Sequence, residues 1–294
     1  MFGFINVYKP SGITSHDVIS RLRRATKIKQ IGHTGTLDPL AEGVLPVAIG
    51  KASRLIEYLK EDKAYIADLE FGVISDTLDK EGLITPFSEK FVSEEQVLSA
   101  LEKFKGKIQQ TPPAYSAVHY NGKRLYELAR EGKIPDDIPK RIVEITKLEL
   151  QDFDYEKRTA KLEIACSKGT YIRSIIGDLG EELGTGAIMT GLVRTKSGEF
   201  SIENAIMLEK LPNKEDVAKH IQSPSCILPF AKYNINAEEY KRISHGQSLE
   251  TNLFKQFELI SIMYENTLCA ISQKNENNLL ITKKVFIWWH YKKH

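Results

Sequence analysis

The chain has 294 residues, 41% of them hydrophobic and 27% charged, which is the composition of a globular protein with a substantial core. Its 41 Lys and Arg residues nearly balance its 39 Asp and Glu residues, so a nucleic-acid surface would require local clustering of cations. The three cysteines fit neither a disulfide framework nor zinc-ligand spacing, and no stretch reaches the roughly 20 apolar residues of a membrane span. We therefore expect a soluble, unprocessed protein of the reducing cytosol.

The first predicted elements are a strand at residues 2–7 and a helix that Ser15 is placed to cap. One face of this helix is apolar. The other face carries a run of cations, namely Arg21, Arg23, Arg24, Lys27 and Lys29. Such a run is either a solvated face or an RNA contact, and the pattern alone leaves both interpretations open.

Residues 32–46 form a glycine-rich loop that leads into a buried strand. Pro39 restricts Asp38 to extended geometry, and the glycines permit the bends that the loop needs. Apolar neighbours flank the Asp38 carboxylate, which is costly unless a cation or hydrogen-bond donors meet it. Taken alone, Asp-Pro is also a common turn signal, and one histidine with two carboxylates is a weak basis for a metal site.

Two further stretches stand out in the middle of the chain. Tyr65 lies on the apolar face of an alternating strand, where periodicity alone favours a core tyrosine, and Ser93 with Gln96 predicts a capped helix. Residues 110–140 mix basic and aromatic side chains around an Asn-Gly turn: Tyr115, Lys123, Arg124, Tyr126 and Arg130. This mixture suits a surface that tracks an RNA backbone and stacks bases, and it suits a plain surface insertion equally well.

The second half of the chain begins with a predicted strand at residues 160–166 and a helix, with Tyr171 and Arg173 off its buried stripe near its first turn. Leu192 falls in the next strand, where packing alone would explain a leucine. Residues 211–231 lose clear periodicity and indicate a connection. Short predicted strands in residues 232–294 indicate a small β-rich module.

Several of these stretches resemble the motifs of one family. Residues 32–46 closely resemble the catalytic motif of the TruB-type tRNA pseudouridine synthases. Five further segments resemble other motifs of that family: residues 9–15, 63–65, 112–130, 166–174 and 191–200. The match is specific from residue 4 to about residue 200, and beyond that point it rests on position and strand pattern alone.

The resemblance implies an α+β pseudouridine synthase fold, with a central mixed, largely antiparallel sheet flanked by helices and loops. The catalytic domain would occupy residues 1–210 and include an RNA-binding thumb at about residues 110–140. After the connection at residues 211–231, residues 232–294 would form a PUA-like RNA-binding domain.

The resemblance also implies roles for individual residues. Asp38 would be the catalytic aspartate, Arg173 its paired cation, and Tyr65 the aromatic ring that stacks on a flipped uracil. The implied substrate-binding residues are His33, Tyr65, Tyr171, Leu192, Lys123, Arg124 and Arg130. Arginine suits its role because it stays charged and can hold a carboxylate with two hydrogen bonds.

The implied activity is isomerisation of uridine to pseudouridine in the T-loop of tRNA, at the site usually called 55, with base flipping and without metal or cofactor. The implied partner is the T arm of tRNA, bound by a cytoplasmic monomer that needs no membrane and no obligate protein partner. Three alternatives stay open: a non-catalytic tRNA-binding or folding protein, a related synthase acting on another RNA, and a glycoside hydrolase. The hydrolase usually needs two carboxylates, and only Asp38 has a motif for such a role.

Overall fold

The computed structural model describes residues 1–286. The strands are β1 (Gly3–Lys9), β2 (Ile31–His33), β3 (Glu42–Ile49), β4 (Lys63–Phe71), β5 (Val73–Ser75), β6 (Ile84–Pro86), β7 (Gly106–Gln110), β8 (His119–Tyr120), β9 (Lys123–Arg124), β10 (Arg141–Asp154), β11 (Thr159–Cys166), β12 (Ala187–Ser197), β13 (Phe200–Ser201), β14 (Ile206–Met207), β15 (Ala231–Asn234), β16 (Leu249–Glu250), β17 (Leu259–Tyr264), β18 (Thr267–Lys274) and β19 (Leu279–Val285). The α-helices are α1 (Ser15–Thr26), α2 (Glu94–Leu101), α3 (Leu125–Arg130), α4 (Ile172–Leu183), α5 (Lys214–Lys219), α6 (Pro224–Ile227) and α7 (Ala237–Ser244). Within these residues, every helix is too short or too polar to cross a membrane.

The large sheet contains ten strands, with the main path β14-β1-β3-β12-β4-β11-β10-β7 and with β2 and β13 paired to β3 and β12. Two pairs on this path, β1 with β14 and β3 with β12, are parallel, and the others are antiparallel. The predicted mixed, largely antiparallel sheet is therefore confirmed. The parallel pair β3–β12 lies near the middle, so the strand after the Asp38 loop lies beside one from the second half of the chain.

The inner strands of this sheet are buried on both faces. Side chains alternate along a strand, so successive residues pack into different hydrophobic clusters. Ile5 and Val7 of β1 face a core that also receives the apolar sides of α1, α2 and α4. Phe4 faces a second cluster, which it shares with Val44 of β3. Both faces of β1 and β3 are thus fixed by packing.

A five-stranded sheet with order β15-β17-β18-β19-β16 confirms the predicted β-rich module. It has a core of its own and also packs on the large sheet, where Met263 and Ile271 join the Phe4 cluster. Between the sheets, Gln222 exchanges backbone hydrogen bonds of 2.7 and 3.0 Å with Phe4. The boundaries at residues 210 and 231 stay a prediction, and the end of the module, residues 287–294, lies outside the described residues.

One predicted helix cap is confirmed and another is wrong. Ser93 and Gln96 form the predicted capping box of α2. At α1 the cap is Thr14, which accepts a hydrogen bond from the Asp17 backbone at 3.1 Å and donates its own backbone N–H to the Asp17 carboxylate. The cap falls on Thr14 because an acidic residue lies three positions after it. Ser15 is therefore the first helical residue, and its hydroxyl is free for another partner.

Candidate active site

The loop that carries Asp38 is tied to the start of α1. The Ser15 hydroxyl accepts a hydrogen bond from the Leu37 backbone N–H at 2.8 Å and donates to the Leu37 carbonyl at 3.1 Å. On the other side of Asp38, the Pro39 carbonyl accepts hydrogen bonds from the Gly12 backbone at 2.9 Å and the Lys9 ammonium at 3.2 Å. The backbone on both sides of Asp38 is thus held in place, which fixes the direction of its side chain.

Arg194 of β12 joins the two ends of the same loop. Its fully buried guanidinium donates to the carbonyls of Val44 at 2.7 Å, Gly35 at 3.0 Å and Thr36 at 3.4 Å. Gly43 has φ of +101°, and a Cβ there would come within 2.4 Å of the Arg194 carbonyl oxygen, so this close approach requires glycine. Burial lowers the pKa of Arg194, and the Tyr65 phenol acts in the opposite direction.

Lys9 is a second fully buried cation beneath the loop. Its ammonium donates to the carbonyls of Ile13 at 2.5 Å, Pro10 at 3.0 Å and Pro39 at 3.2 Å. Burial lowers the pKa of Lys9 to about 8, although the nearby Asp38 charge acts in the opposite direction. Like Arg194, this cation neutralises the carbonyl dipoles of the loop rather than a partner carboxylate.

Arg173 lies between two aspartates. Its Nη2 is 3.0 Å from Asp38 Oδ2, and its Nη1 is 3.5 Å from Asp79 Oδ2. The same nitrogens donate to the carbonyls of Thr77 at 2.9 Å and Tyr115 at 3.1 Å. The Asp38 side chain is 38% exposed and that of Asp79 only 4%, so Arg173 connects a carboxylate that solvent can reach with one that it cannot. Although the sequence places Arg173 off the apolar stripe of α4, its side chain is buried, at 6% exposure.

Asp79 is a site residue that the sequence reasoning missed. Its Oδ1 accepts hydrogen bonds from the Thr77 hydroxyl at 2.6 Å and the Glu81 backbone at 3.0 Å. The residue before it, Leu78, has φ of 62° and packs against Gly177 of α4, where a Cβ would lie 3.3 Å from the leucine. The available signal was two aspartates between apolar stretches, and such a pattern is typical of an ordinary turn.

These residues surround a cavity of about 500 Å³. It brings together six of the predicted site residues, namely Asp38, Tyr65, Arg130, Tyr171, Arg173 and Leu192. It also includes residues for which no role was predicted, among them Lys63, Asp79 and Glu81. Lys123, Arg124 and His33 lie outside its lining, and the roles of all the predicted site residues stay predictions.

Tyr65 contributes its ring to the cavity wall while its hydroxyl is fixed from behind. The side chain is almost fully buried, and its phenol is hydrogen-bonded to Arg194. Burial raises the pKa of Tyr65, so the phenol stays protonated at neutral pH. Arg194 therefore positions both the loop that carries Asp38 and the aromatic ring beside it.

His33 lies at the end of β2, where it is paired in register with Val47 of β3. Burial lowers the pKa of His33, which favours the neutral imidazole. Its buried Nδ1 has no hydrogen-bond partner within residues 1–286. The ring is thus a neutral side chain behind the loop rather than a cation at the cavity surface.

The predicted hairpin and short helix of the thumb are present as β8, β9 and α3. Lys123 forms an ion pair with Glu131 at 3.2 Å, and the guanidinium carbons of Arg124 and Arg130 lie 5.9 and 5.5 Å from the centre of the Tyr126 ring. All three cations are exposed. Tyr126 and Arg130 extend from the thumb into the cavity lining.

Comparison with known families agrees with this geometry. The model of the N-terminal domain of the TruB family pseudouridylate synthases matches residues 23–172, and that of the tRNA pseudouridylate synthase B C-terminal domain matches residues 173–230. The chain belongs to the TruB family. The first match includes Asp38, Tyr65 and the thumb, and the second begins at Arg173.

Relatives from the TruB family are similar to this chain over nearly its whole length. The chain is 49% identical over 290 residues to the tRNA pseudouridine synthase B of Clostridium novyi, covering 96% of this chain and 99% of that one. It is 42% identical over 287 residues to the protein of the same name from Lactobacillus johnsonii, covering 92% and 94%. The similarity thus extends over the C-terminal third as well as the motifs.

Chains of solved structures share the fold. A Cbf5-Nop10-Gar1 complex contains a chain that superposes with a TM-score of 0.71 at 27% identity, covering 97% of this chain and 85% of that one. An H/ACA RNP bound to a substrate RNA containing 2'-deoxyuridine contains another, with a TM-score of 0.70 at 26% identity, covering 98% and 86%. Nearly the whole length of this chain is therefore matched in fold by chains of these two complexes.

Proposed function

We propose that this chain isomerises uridine to pseudouridine in tRNA and that its target is the T-loop uridine at the site usually called 55. The observation that carries the proposal is the 3.0 Å ion pair between Asp38 and Arg173 in a cavity whose wall includes Tyr65. Membership of the TruB family and relatives named tRNA pseudouridine synthase B support the activity.

The reaction breaks the bond from the sugar to uracil N1, turns the base and joins the sugar to C5. Substrate and product are isomers, so the rearrangement consumes no redox equivalent and no energy source. It does require a reactive group within reach of the nucleotide and a pocket that retains the freed base. A cavity of about 500 Å³ next to Asp38 offers both, provided that the uridine is flipped out of its stack.

The arrangement of charges around Asp38 suits this task. Arg173 contacts Oδ2, whereas Oδ1 makes no hydrogen bond to any residue that the structure describes, which leaves that oxygen for the substrate. Attack on the sugar carbon, addition to the uracil ring and removal of a sugar proton would all use the same oxygen. In each route Arg173 holds the carboxylate in a fixed direction through its contact with Oδ2.

In the proposed complex, other residues in and around the cavity bind the nucleotide and the T arm. Tyr65 stacks on the flipped uracil, with its ring fixed because Arg194 binds its hydroxyl. Leu192 packs against the base, and Tyr171 lies beside the nucleotide at the start of α4. Lys123, Arg124 and Arg130 of the thumb bind the T arm from outside.

A related synthase acting on another RNA is the main alternative. The chain is 42–49% identical to two relatives named tRNA pseudouridine synthase B, whereas its identity to the matching chains of the Cbf5-Nop10-Gar1 complex and the H/ACA RNP is 26–27%. The larger identity favours tRNA as the substrate. The proposal includes action by a cytoplasmic monomer without an obligate protein partner, so purified protein should act alone on synthetic tRNA.

The decisive test compares Asp38→Asn with the parent protein in a tritium-release assay on C5-labelled tRNA. Asparagine keeps the shape of the side chain but is neither a nucleophile nor a base, so we expect the rate to fall by at least about 10²- to 10⁴-fold. Affinity for tRNA should change little. Asp152→Asn, at an exposed position on β10, is the matched control and should retain full activity.

Product analysis separates the alternatives. Pseudouridine at the T-loop site supports the proposal, free uracil points to a hydrolase, and tight binding without either product points to a non-catalytic tRNA-binding protein. Mapping modified uridines in cellular RNA with and without the gene then tests whether RNAs other than tRNA are substrates. Near-normal tritium release by Asp38→Asn would remove Asp38 from the mechanism.

A further inference from the structure

Lys63 is a cavity residue to which neither the mechanism nor the sequence motifs give a role. It is the first residue of β4, two positions before Tyr65, and residues two apart point to the same face of a strand. Its ammonium reaches the loop, because a Cβ built on Gly35 would lie 3.1 Å from Lys63 Nζ. Lys63 therefore lies in the wall beside Tyr65, on the side where the Asp38 loop begins.

The charged neighbours of Lys63 in the chain are paired, whereas Lys63 is not. Lys60 binds Glu199 at 2.6 Å, Glu61 binds Lys168 at 2.6 Å, and Asp62 binds Lys196 at 3.3 Å. Within residues 1–286, the half-buried ammonium of Lys63 makes no hydrogen bond and no ion pair. Its charge is thus available to something that enters the cavity.

A second cation, the Arg194 guanidinium, lies near Lys63. Burial lowers the pKa of Lys63 and the Arg194 guanidinium lowers it further, whereas the Glu61 carboxylate acts in the opposite direction. Arg194 itself is bonded to carbonyls and a phenol rather than to a carboxylate. Two neighbouring cations in a partly buried site repel each other, and an incoming anion would relieve the repulsion. Uracil is neutral, so the anion that an RNA substrate brings is a phosphate.

We propose that Lys63 binds a backbone phosphate next to the flipped nucleotide and thereby fixes that nucleotide over Tyr65. This inference rests on the proposed function and deepens it. A nucleotide carries its phosphate one sugar away from its base. The Tyr65 ring and a cation beside it can therefore bind the two ends of the same nucleotide. Lys63 acts as a positioning residue, and the bond-breaking chemistry stays with Asp38.

The test is a double-mutant cycle between the protein and a synthetic T-arm hairpin. One hairpin is unmodified, and the others each carry a neutral methylphosphonate at one phosphate flanking the target uridine. Binding is measured for the parent, Lys63→Met and the matched control Lys60→Met, whose lysine is exposed and paired with Glu199 outside the cavity.

We expect Lys63→Met to weaken binding of the unmodified hairpin on the order of 10-fold, the scale of one charge-assisted hydrogen bond. The slope of log affinity against log salt should fall by about 0.7. A methylphosphonate at the phosphate that Lys63 contacts should weaken binding by the parent to the same extent as Lys63→Met weakens binding of the unmodified hairpin. The same methylphosphonate should not weaken binding by Lys63→Met any further. Lys63→Arg should recover most of the affinity, and Lys60→Met should behave like the parent.

Two results would overturn the inference while the proposed function stands. In the first, Lys63→Met loses the same factor in affinity for every hairpin, whichever phosphate is neutral. In the second, Lys63→Met has an unchanged salt slope but a slower single-turnover rate at saturating enzyme. The second result would indicate a role in the chemical step instead. If Lys63→Met does not fold, Lys63→Gln gives the same comparison. If the parent neither binds nor converts the hairpin, the proposed function fails first, and this inference fails with it.

Discussion

The cations beneath the Asp38 loop and the cations of the thumb are the same residue types in opposite settings. Lys9, Arg173 and Arg194 are buried and bind mainly backbone carbonyls. Lys123 and Arg130 are exposed, the first paired with a glutamate and the second lying over a tyrosine ring. The first set fixes a geometry, and the second can exchange its partners for those of an incoming RNA.

The energies of the two settings explain this division. An exposed ion pair contributes about 0–1 kcal/mol, so a phosphate can replace its carboxylate at little cost. Removing one member of a buried hydrogen-bonded set costs about 3–5 kcal/mol, because the groups left behind are neither paired nor solvated. Substitutions in the two sets should therefore affect different measurements, namely stability and rate in the first set and affinity in the second.

The largest effect should come from Arg194→Met, which leaves the carbonyls of Gly35, Thr36 and Val44 without their donor. We expect the free energy of unfolding to fall by about 3–5 kcal/mol in urea titrations. The thumb substitution Arg124→Met should change it by less than about 0.5 kcal/mol. If both variants lose the same free energy of unfolding, the buried cations do not contribute more to stability than the exposed cations.

Arg173→Met should leave the fold more intact and lower the single-turnover rate by at least about 10²-fold, the scale of one electrostatic contact in a catalytic site. Without the guanidinium, the carboxylates of Asp38 and Asp79 share a site with no cation between them, which favours protonation of one. The rate should partly recover as pH rises, and Arg173→Lys should be intermediate. A profile with the parent's shape, merely scaled down, would contradict this electrostatic role.

Lys9 should give stability a pH dependence. Its pKa is about 8 in the folded protein against an ordinary 10.5, so between these values the folded state binds fewer protons than the unfolded state. The free energy of unfolding should therefore rise with pH above about 8, by at most about 1.4 kcal/mol per pH unit from this group. Comparing the parent with Lys9→Met in urea at pH 7 and 9 isolates the contribution of this lysine. A difference that does not grow with pH would mean that Lys9 keeps its proton.

The smallest effect on the folded protein should come from neutralising Lys123, Arg124 and Arg130 together. We expect unchanged stability, weaker binding to tRNA, and a salt slope reduced by roughly 0.7 to 0.9 for each phosphate that the thumb no longer neutralises. Filter-binding titrations at several salt concentrations provide the measurement. If the slope does not change, the thumb does not bind phosphates, and its exposed cations are only a solvated surface.

Local patterns predicted much of the fold and part of the site. The Asp38 loop, the α2 cap and the thumb hairpin each follow from residues within a few positions of one another. Asp79 was missed because its place in the site depends on its contact with Arg173. Arg173 lies far along the chain, and its side chain points inward only in the folded protein. The Ser15 cap was wrong for a related reason, since two adjacent residues could both cap and the acidic partner of Thr14 decided between them.

The hydrogen bonds of Arg194 also have a consequence for the order of events during synthesis. Its partners Gly35 and Val44 lie 159 and 150 residues earlier in the chain. A nascent chain that has not yet extended past β12 has no donor for these carbonyls and no neighbour for one edge of β3. Contacts between such distant residues form late because a long loop must close first. We therefore expect the Asp38 loop to reach its working shape only after most of the protein has left the ribosome.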